Sequence, residues 1–247
     1  MNIIVANWKM NLNVPESSAY FVKLSELITD DDGAEIVLCP TFLALQTLHL
    51  QNNANKFKLG SQNCNALDSG PLTGEVSAKM LAGIVDYVIV GHSERRCKFG
   101  ETDHDVNQKI KAVLGRGLIP ILCIGERQNE SIEETLQTQL NGGLSGIRSD
   151  QISQVVIAYE PVYAIGSRQI PTMGEIAHAV QIIQSHIASM FGVNAEARII
   201  YGGSVDDSNA IEILSIAGVD GLLVGRASLD AVKFARIVKE VRIARGK

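Results

Sequence analysis

Glu160 stands where the apolar run Val155-Val156-Ile157-Ala158 stops, followed by Pro161 and a loop of small and apolar residues. A carboxylate there is either a solvated strand end or a proton acceptor held partly out of water. Burial raises a carboxyl pKa and makes it a stronger base, and general-base catalysis is worth about 10²–10⁴ in rate. His92 lies in Gly91-His92-Ser93-Glu94. It is either a structural hydrogen-bonding group or an electrophile. If Ser93 opens a short helix, the helix N-terminus disfavours imidazolium, and a neutral ring can donate a hydrogen bond to a carbonyl oxygen. Lys9, with Asn7 two residues before it, follows the first apolar run. It is either a surface ammonium or an electrostatic group for an anionic substrate or a developing oxyanion. Glu94 is its candidate ion-pair partner, and Asn7 could order the same site. Gly202-Gly203-Ser204 and Gly225-Arg226 follow two later apolar runs. Backbone N–H groups in such turns can point at a phosphate.

These residues acquire a common location only if the apolar runs are parallel strands. Eight runs qualify: Ile3–Ala6, Glu35–Cys39, Phe57–Ser61, Tyr87–Val90, Leu118–Ile124, Val155–Tyr159, Arg198–Tyr201 and Gly221–Val224. Their apolar character is continuous, as in strands buried on both faces. Amphipathic stretches lie between them. Ile176, Val180, Ile183, Ile187 and Met190 form one helical face, with Thr172 and Glu175 spaced as a capping box. Ser131 and Glu134 give the same signal, and further helices are expected at Glu16–Ile28, Phe42–Leu50, Thr102–Leu114, Asp206–Ala217 and Asp230–Arg245. Unbroken strand–helix alternation predicts an α/β fold, a single (β/α)₈ barrel of eight parallel strands over residues 1–247. A doubly wound open sheet is the alternative, but Asn7-Trp8-Lys9-Met10-Asn11 stands where its glycine fingerprint would be. In a barrel the C-terminal strand ends form one rim, so Asn7, Lys9, His92, Glu94, Glu160, Ser204, Gly225 and Arg226 would converge.

Composition narrows the partners. The chain has 247 residues, 46% hydrophobic and 20% charged, with net charge −5. No block of like charge offers a surface for nucleic acid or an anionic membrane. No apolar run approaches the roughly 20 residues that span a bilayer, and Met1-Asn2-Ile3-Ile4-Val5 reads as a strand rather than a signal peptide. Cys39, Cys64, Cys97 and Cys123 form no C-x-x-C pair, which suits reduced thiols in a cytoplasmic protein. The histidines other than His92 (His49, His104, His178 and His186) fall in helical stretches without a ligand cluster. A metal site is not expected.

Five motifs, in order along the chain, resemble those of the triosephosphate isomerase family: Asn7-Trp8-Lys9-Met10-Asn11, Gly91-His92-Ser93-Glu94-Arg95-Arg96, Cys123-Ile124-Gly125-Glu126, Ala158-Tyr159-Glu160-Pro161-Val162 and Tyr201-Gly202-Gly203-Ser204-Val205. Leu223-Val224-Gly225-Arg226-Ala227-Ser228-Leu229 continues the likeness almost to the end. The resemblance implies interconversion of dihydroxyacetone phosphate and glyceraldehyde 3-phosphate without cofactor. It implies Glu160 as base, His92 as neutral electrophile, Lys9 stabilising the enediolate, Asn7 ordering the site and Glu94 holding Lys9. This family is itself a standard worked case of pKa tuning and lid closure. Backbone N–H groups of Gly166, Ser204, Gly225 and Arg226 would bind phosphate. Pro161, Val162, Tyr163, Ala164, Ile165, Gly166, Ser167, Arg168, Gln169, Ile170 and Pro171 would form a lid. Tyr201 and Ser204 would latch it, and Glu126 would meet Tyr163. Asn65–Lys79 resembles the family's dimer loop, with Thr73 and Glu75 at its tip and Thr73 beside the partner's active site in a homodimer.

Several residues depart from the family pattern. Tyr163 stands where tryptophan is common. Arg168 and Arg226 replace glycines, and Pro171 restricts the closing hinge. Strain of about 1–3 kcal/mol at Arg168 would bias the lid if that position needs positive φ. Another phosphorylated sugar as substrate, or a non-catalytic binding role, are the competing readings; intact Asn7, Lys9, His92 and Glu160 argue against the second.

Overall fold

A computed structural model of the chain describes residues 2–28, 33–165 and 171–245. Its strands are β1 (Asn2–Asn7), β2 (Ala34–Cys39), β3 (Lys58–Ser61), β4 (Tyr87–Val90), β5 (Ile119–Ile124), β6 (Val156–Tyr159), β7 (Arg198–Tyr201) and β8 (Gly221–Val224). They pair in parallel in sequence order, and β8 closes the barrel on β1. The outer layer contains α1 (Val14–Leu27), α2 (Phe42–Gln51), α3 (Ala78–Leu81), α4 (Ser93–Phe99), α5 (Asp103–Leu114), α6 (Ile132–Gly143), α7 (Met173–Phe191), α8 (Ala210–Leu214) and α9 (Ala231–Arg245).

Strand alternation sorts the apolar residues into two clusters. Ile3 and Val5 of β1 belong to the cluster that fills the barrel, while Ile4 and Ala6 belong to the layer beneath the helices. The same period of two sends Val156 and Ala158 inward and Ile157 and Tyr159 outward. Continued past the strand ends, it assigns Asn7, Gly125, Glu160, Gly202 and Gly225 to the inner face at the rim. At the opposite end, Tyr87 donates to Glu35 at 2.6 Å, and Arg198 reaches both Glu35 at 2.8 Å and the Tyr87 hydroxyl at 3.1 Å. That polar triad closes the N-terminal mouth of the barrel.

Local hydrogen bonds set the helix ends. Asn13 caps α1 and forms a reciprocal capping box with Glu16, so the helix starts two residues earlier than its apolar pattern indicates. Thr172 and Glu175 form the expected box on α7. Asp206–Ala217 is not a continuous helix; α8 covers only Ala210–Leu214. The Asp206 carboxylate accepts from the Ser208 N–H at 2.8 Å and its hydroxyl at 2.6 Å, while the Asn209 side chain accepts from the Asp206 N–H at 3.0 Å. These turn bonds compete with the first helical turn. The long connection after β3 holds a single helical turn, α3, whose Met80 N–H is capped by the Ser77 hydroxyl.

Candidate active site

The rim is built around a carboxylate–imidazole contact. Glu160 follows β6 and is 2% exposed; His92 follows β4 and is 5% exposed. His92 Nε2 lies 3.2 Å from Glu160 Oε1, and the Ser93 N–H approaches Glu160 Oε2 at 3.4 Å. His92 is the N-cap of α4, and its Nδ1 accepts the Glu94 N–H at 3.2 Å. An imidazolium nitrogen has no lone pair for that bond, so the cap assigns the proton to Nε2, facing Glu160.

The electrostatics follow from this contact. Burial raises the Glu160 pKa, but His92 at hydrogen-bonding distance, helped by Lys9, outweighs burial and holds the carboxyl below its usual range. The raised pKa expected from burial alone is therefore reversed. Burial lowers the pKa of the His92 ring, and the adjacent Glu160 charge raises it above its ordinary value. Both shifts arise from the mutual contact.

Lys9 is brought to the same rim by a strained turn. Its φ is 52°, an uncommon region for a residue with a side chain. The Asn7 carboxamide accepts the Lys9 N–H at 3.0 Å, and Gln62 Nε2 donates to the Lys9 carbonyl at 2.8 Å and to Cys39 O at 2.9 Å. These bonds hold the unusual backbone in place. The ammonium then meets Glu94 at 2.7 Å. Gln62 escaped the sequence reading, although its place one residue beyond the third apolar run marked it as a rim residue. Arg96 lies in the same motif as His92. It donates to Gly91 O at 2.7 Å and to Asp103 at 2.6 Å, bracing the turn that carries His92.

The remaining expected residues fall into three groups. Ser204, Gly225 and Arg226 lie on the rim after β7 and β8; a Cβ placed on Gly225 would stand 3.6 Å from Lys9 Cε. Ser204 donates its hydroxyl to Ala164 O at 2.7 Å, linking that rim to the turn that follows Glu160. Pro161 leads into a 3-10 turn at Val162–Ala164, which includes Tyr163 and is followed by Ile165; Pro171 is buried before the α7 cap. Gly166, Ser167, Arg168, Gln169 and Ile170 lie outside the described residues. The expected Tyr163–Glu126 bond is not formed. Tyr159 donates to Glu126 at 3.1 Å instead, and the buried Glu126 Oε2 and Tyr201 hydroxyl have no hydrogen-bond partner among the described residues. Tyr163 and Glu126 do line a common cavity of about 420 Å³ with Tyr159 and Glu175. Thr73 and Glu75 are exposed, and Glu75 accepts from Asn65 at 3.0 Å. Among the described residues, no group of histidines, cysteines and carboxylates could hold a metal ion, and no helix is long and apolar enough to cross a membrane.

This arrangement brings a carboxylate, an N–H donor and an ammonium together on one rim, the set needed to move a proton beside a carbonyl. Comparison with known proteins agrees with that chemistry. The family model described as Triosephosphate isomerase matches residues 2–241. Triosephosphate isomerase of Dehalococcoides mccartyi strain BAV1 is 40% identical over 99% of this chain and 98% of its own. That of Alkaliphilus metalliredigens is 42% identical over 96% and 98%. The crystal structure of triosephosphate isomerase from Bartonella henselae superposes with a TM-score of 0.85 at 34% identity, covering 98% of this chain and 99% of that one. With its rim geometry, barrel order and nearly full-length sequence match all in agreement, this chain belongs to the triosephosphate isomerase family.

Proposed function

We propose a division of labour among the rim residues for this isomerase, which interconverts dihydroxyacetone phosphate and D-glyceraldehyde 3-phosphate through an enediolate. Glu160 takes a proton from the carbon beside the carbonyl and returns it to the neighbouring carbon. His92 donates its Nε2–H to the carbonyl oxygen as negative charge develops there. Lys9, held by Glu94, adds a positive charge, and Asn7 keeps the Lys9 turn in shape. The Glu160–His92 contact has to open for substrate to enter. With the carboxylate turned to the substrate, the α4 N-terminus and the Glu94 amide favour the neutral ring. The observation carrying this reading is the 3.2 Å approach of Nε2 to the base, beside the Lys9 ammonium.

Backbone N–H groups at Ser204, Gly225 and Arg226 suit the substrate phosphate, with Gly166 as a further donor from the lid. Residues 161–171 act as that lid, excluding water from the enediolate. Glu126, with an unpaired Oε2, and Tyr201, with an unpaired hydroxyl, are acceptor and donor available to it on closure; Ser204 already holds its root. A homodimer is supported by exposed Met10, Leu43, Leu72 and Met80, with the Thr73–Glu75 loop at the contact. Buried, unpaired Cys39, Cys64 and Cys123 suit a cytoplasmic setting.

The test is a coupled assay with glyceraldehyde 3-phosphate, run on the wild type and Glu160→Gln, with mass measured by light scattering. Turnover in the wild type and a loss of about 10²–10⁴ in the folded variant is the expected result. Equal activity in both would remove Glu160 from the chemistry. A folded wild type without turnover would overturn the isomerase reading.

A further inference from the structure

We infer that the Arg226 side chain, in addition to its backbone N–H, binds the substrate phosphate and raises affinity for dianionic ligands. The inference rests on the isomerase reading and extends it to a specificity determinant particular to this chain. Most cations near the rim are already engaged. Lys9 meets Glu94 at 2.7 Å, Arg95 meets Glu101 at 3.3 Å and Arg96 meets Asp103 at 2.6 Å. Arg127 contacts the Cys97 sulfur at 3.5 Å. Arg226 makes no side-chain hydrogen bond or ion pair among the described residues.

Its backbone root lies beside the reacting groups. Arg226 opens the 3-10 turn Arg226–Leu229 directly after Gly225, and Gly225 approaches Lys9 so closely that its Cβ position is 3.6 Å from Lys9 Cε. Charge balance gives the free guanidinium a task. With a neutral His92, the group Lys9, Glu94 and Glu160 carries one negative charge in excess, an unfavourable setting for a phosphate dianion. Arg226 removes that excess. Its planar fork of N–H donors also matches two phosphate oxygens, which a lysine or a backbone amide cannot do alone. An exposed guanidinium is free to follow the phosphate as it enters and leaves.

The experiment compares wild type, Arg226→Ala and Arg226→Lys; both variants keep the backbone N–H. Inorganic phosphate is titrated by calorimetry and as a competitive inhibitor, and KM and kcat are measured at low and high ionic strength. Arg226→Ala is expected to weaken phosphate binding and raise KM by about threefold to tenfold at low salt, with a much smaller change in kcat. The difference should shrink as salt screens the charge, and Arg226→Lys should recover part of it. Unchanged phosphate affinity and KM in a folded, active Arg226→Ala would overturn the inference and leave the isomerase reading intact. A loss confined to kcat, or one insensitive to salt, would reduce Arg226 to a structural part of the turn and also overturn it. Absence of wild-type turnover would remove the isomerase reading itself, while calorimetry would still decide whether Arg226 binds phosphate.

Discussion

Gly202→Ala tests whether the barrel positions its base by close packing. Gly202 follows β7 and faces Glu160 across the inner rim. A methyl group there would stand 2.8 Å from Glu160 Cγ, 3.3 Å from Oε1 and 3.4 Å from Leu223 Cβ. Non-bonded carbons settle at about 3.5–4.0 Å, so the carboxylate side chain has to move by about 0.7 Å or more. It has little room to do so. Glu160 is 2% exposed, and His92 stands 3.2 Å away. Gly202 has no positive φ that would strain alanine, so the perturbation is steric. Overpacking of this kind costs about 1–3 kcal/mol of stability, and a displacement approaching 1 Å costs up to about 10²-fold in rate. The expected result is a folded enzyme with kcat lowered about 10–10²-fold and KM changed much less. It is read from the coupled assay and a urea melt on the same preparation. A variant within about twofold of wild-type kcat would refute the claim that Gly202 is required to seat the base.

Two further outcomes concern the opposite mouth of the barrel and the buried Glu126 carboxyl. Arg198→Ala removes the cation shared by Glu35 and Tyr87. It should destabilise the fold by about 1–3 kcal/mol in urea denaturation, the figure reduced because the pair is partly exposed, and leave kcat unchanged because the triad lies far from the rim. Glu126 behaves differently with pH. Burial raises its pKa, against the lowering effect of its hydrogen bonds, so the native state binds this proton more tightly than the unfolded chain, whose value is about 4.3. Its contribution to stability is therefore largest at low pH and declines as pH rises from that value through the raised folded one. Glu126→Gln should flatten this part of the stability–pH profile; an identical profile in the variant would show that the carboxyl is not displaced upward.

The strands were readable because each is a short apolar run ended by turn residues, and burial on both faces removes the need for distant information. All eight lie close to their expected bounds. The short α8 was misread because an apolar pattern says little about whether Asp206 and Asn209 will bond their own turn instead of starting a helix. Glu160, His92 and Lys9 were legible as polar residues placed just where buried strands stop. Gln62 and Arg96 were not assigned because their work is to hold carbonyls from other segments: Lys9 and Cys39 for Gln62, Cys123 for Arg96.

The sequence by itself determined the strand–helix alternation, the barrel it favours and the chemistry available at the strand ends. Those follow from hydrophobic periodicity and residue type, which act between near neighbours. Only the tertiary structure decided that His92 Nε2 faces Glu160, that this contact outweighs burial in setting the carboxyl pKa, and that Tyr159 rather than Tyr163 donates to Glu126. Hydrogen bonds and charge interactions depend on distances of a few tenths of an ångström between residues far apart in the chain, and those distances exist only once the barrel has closed.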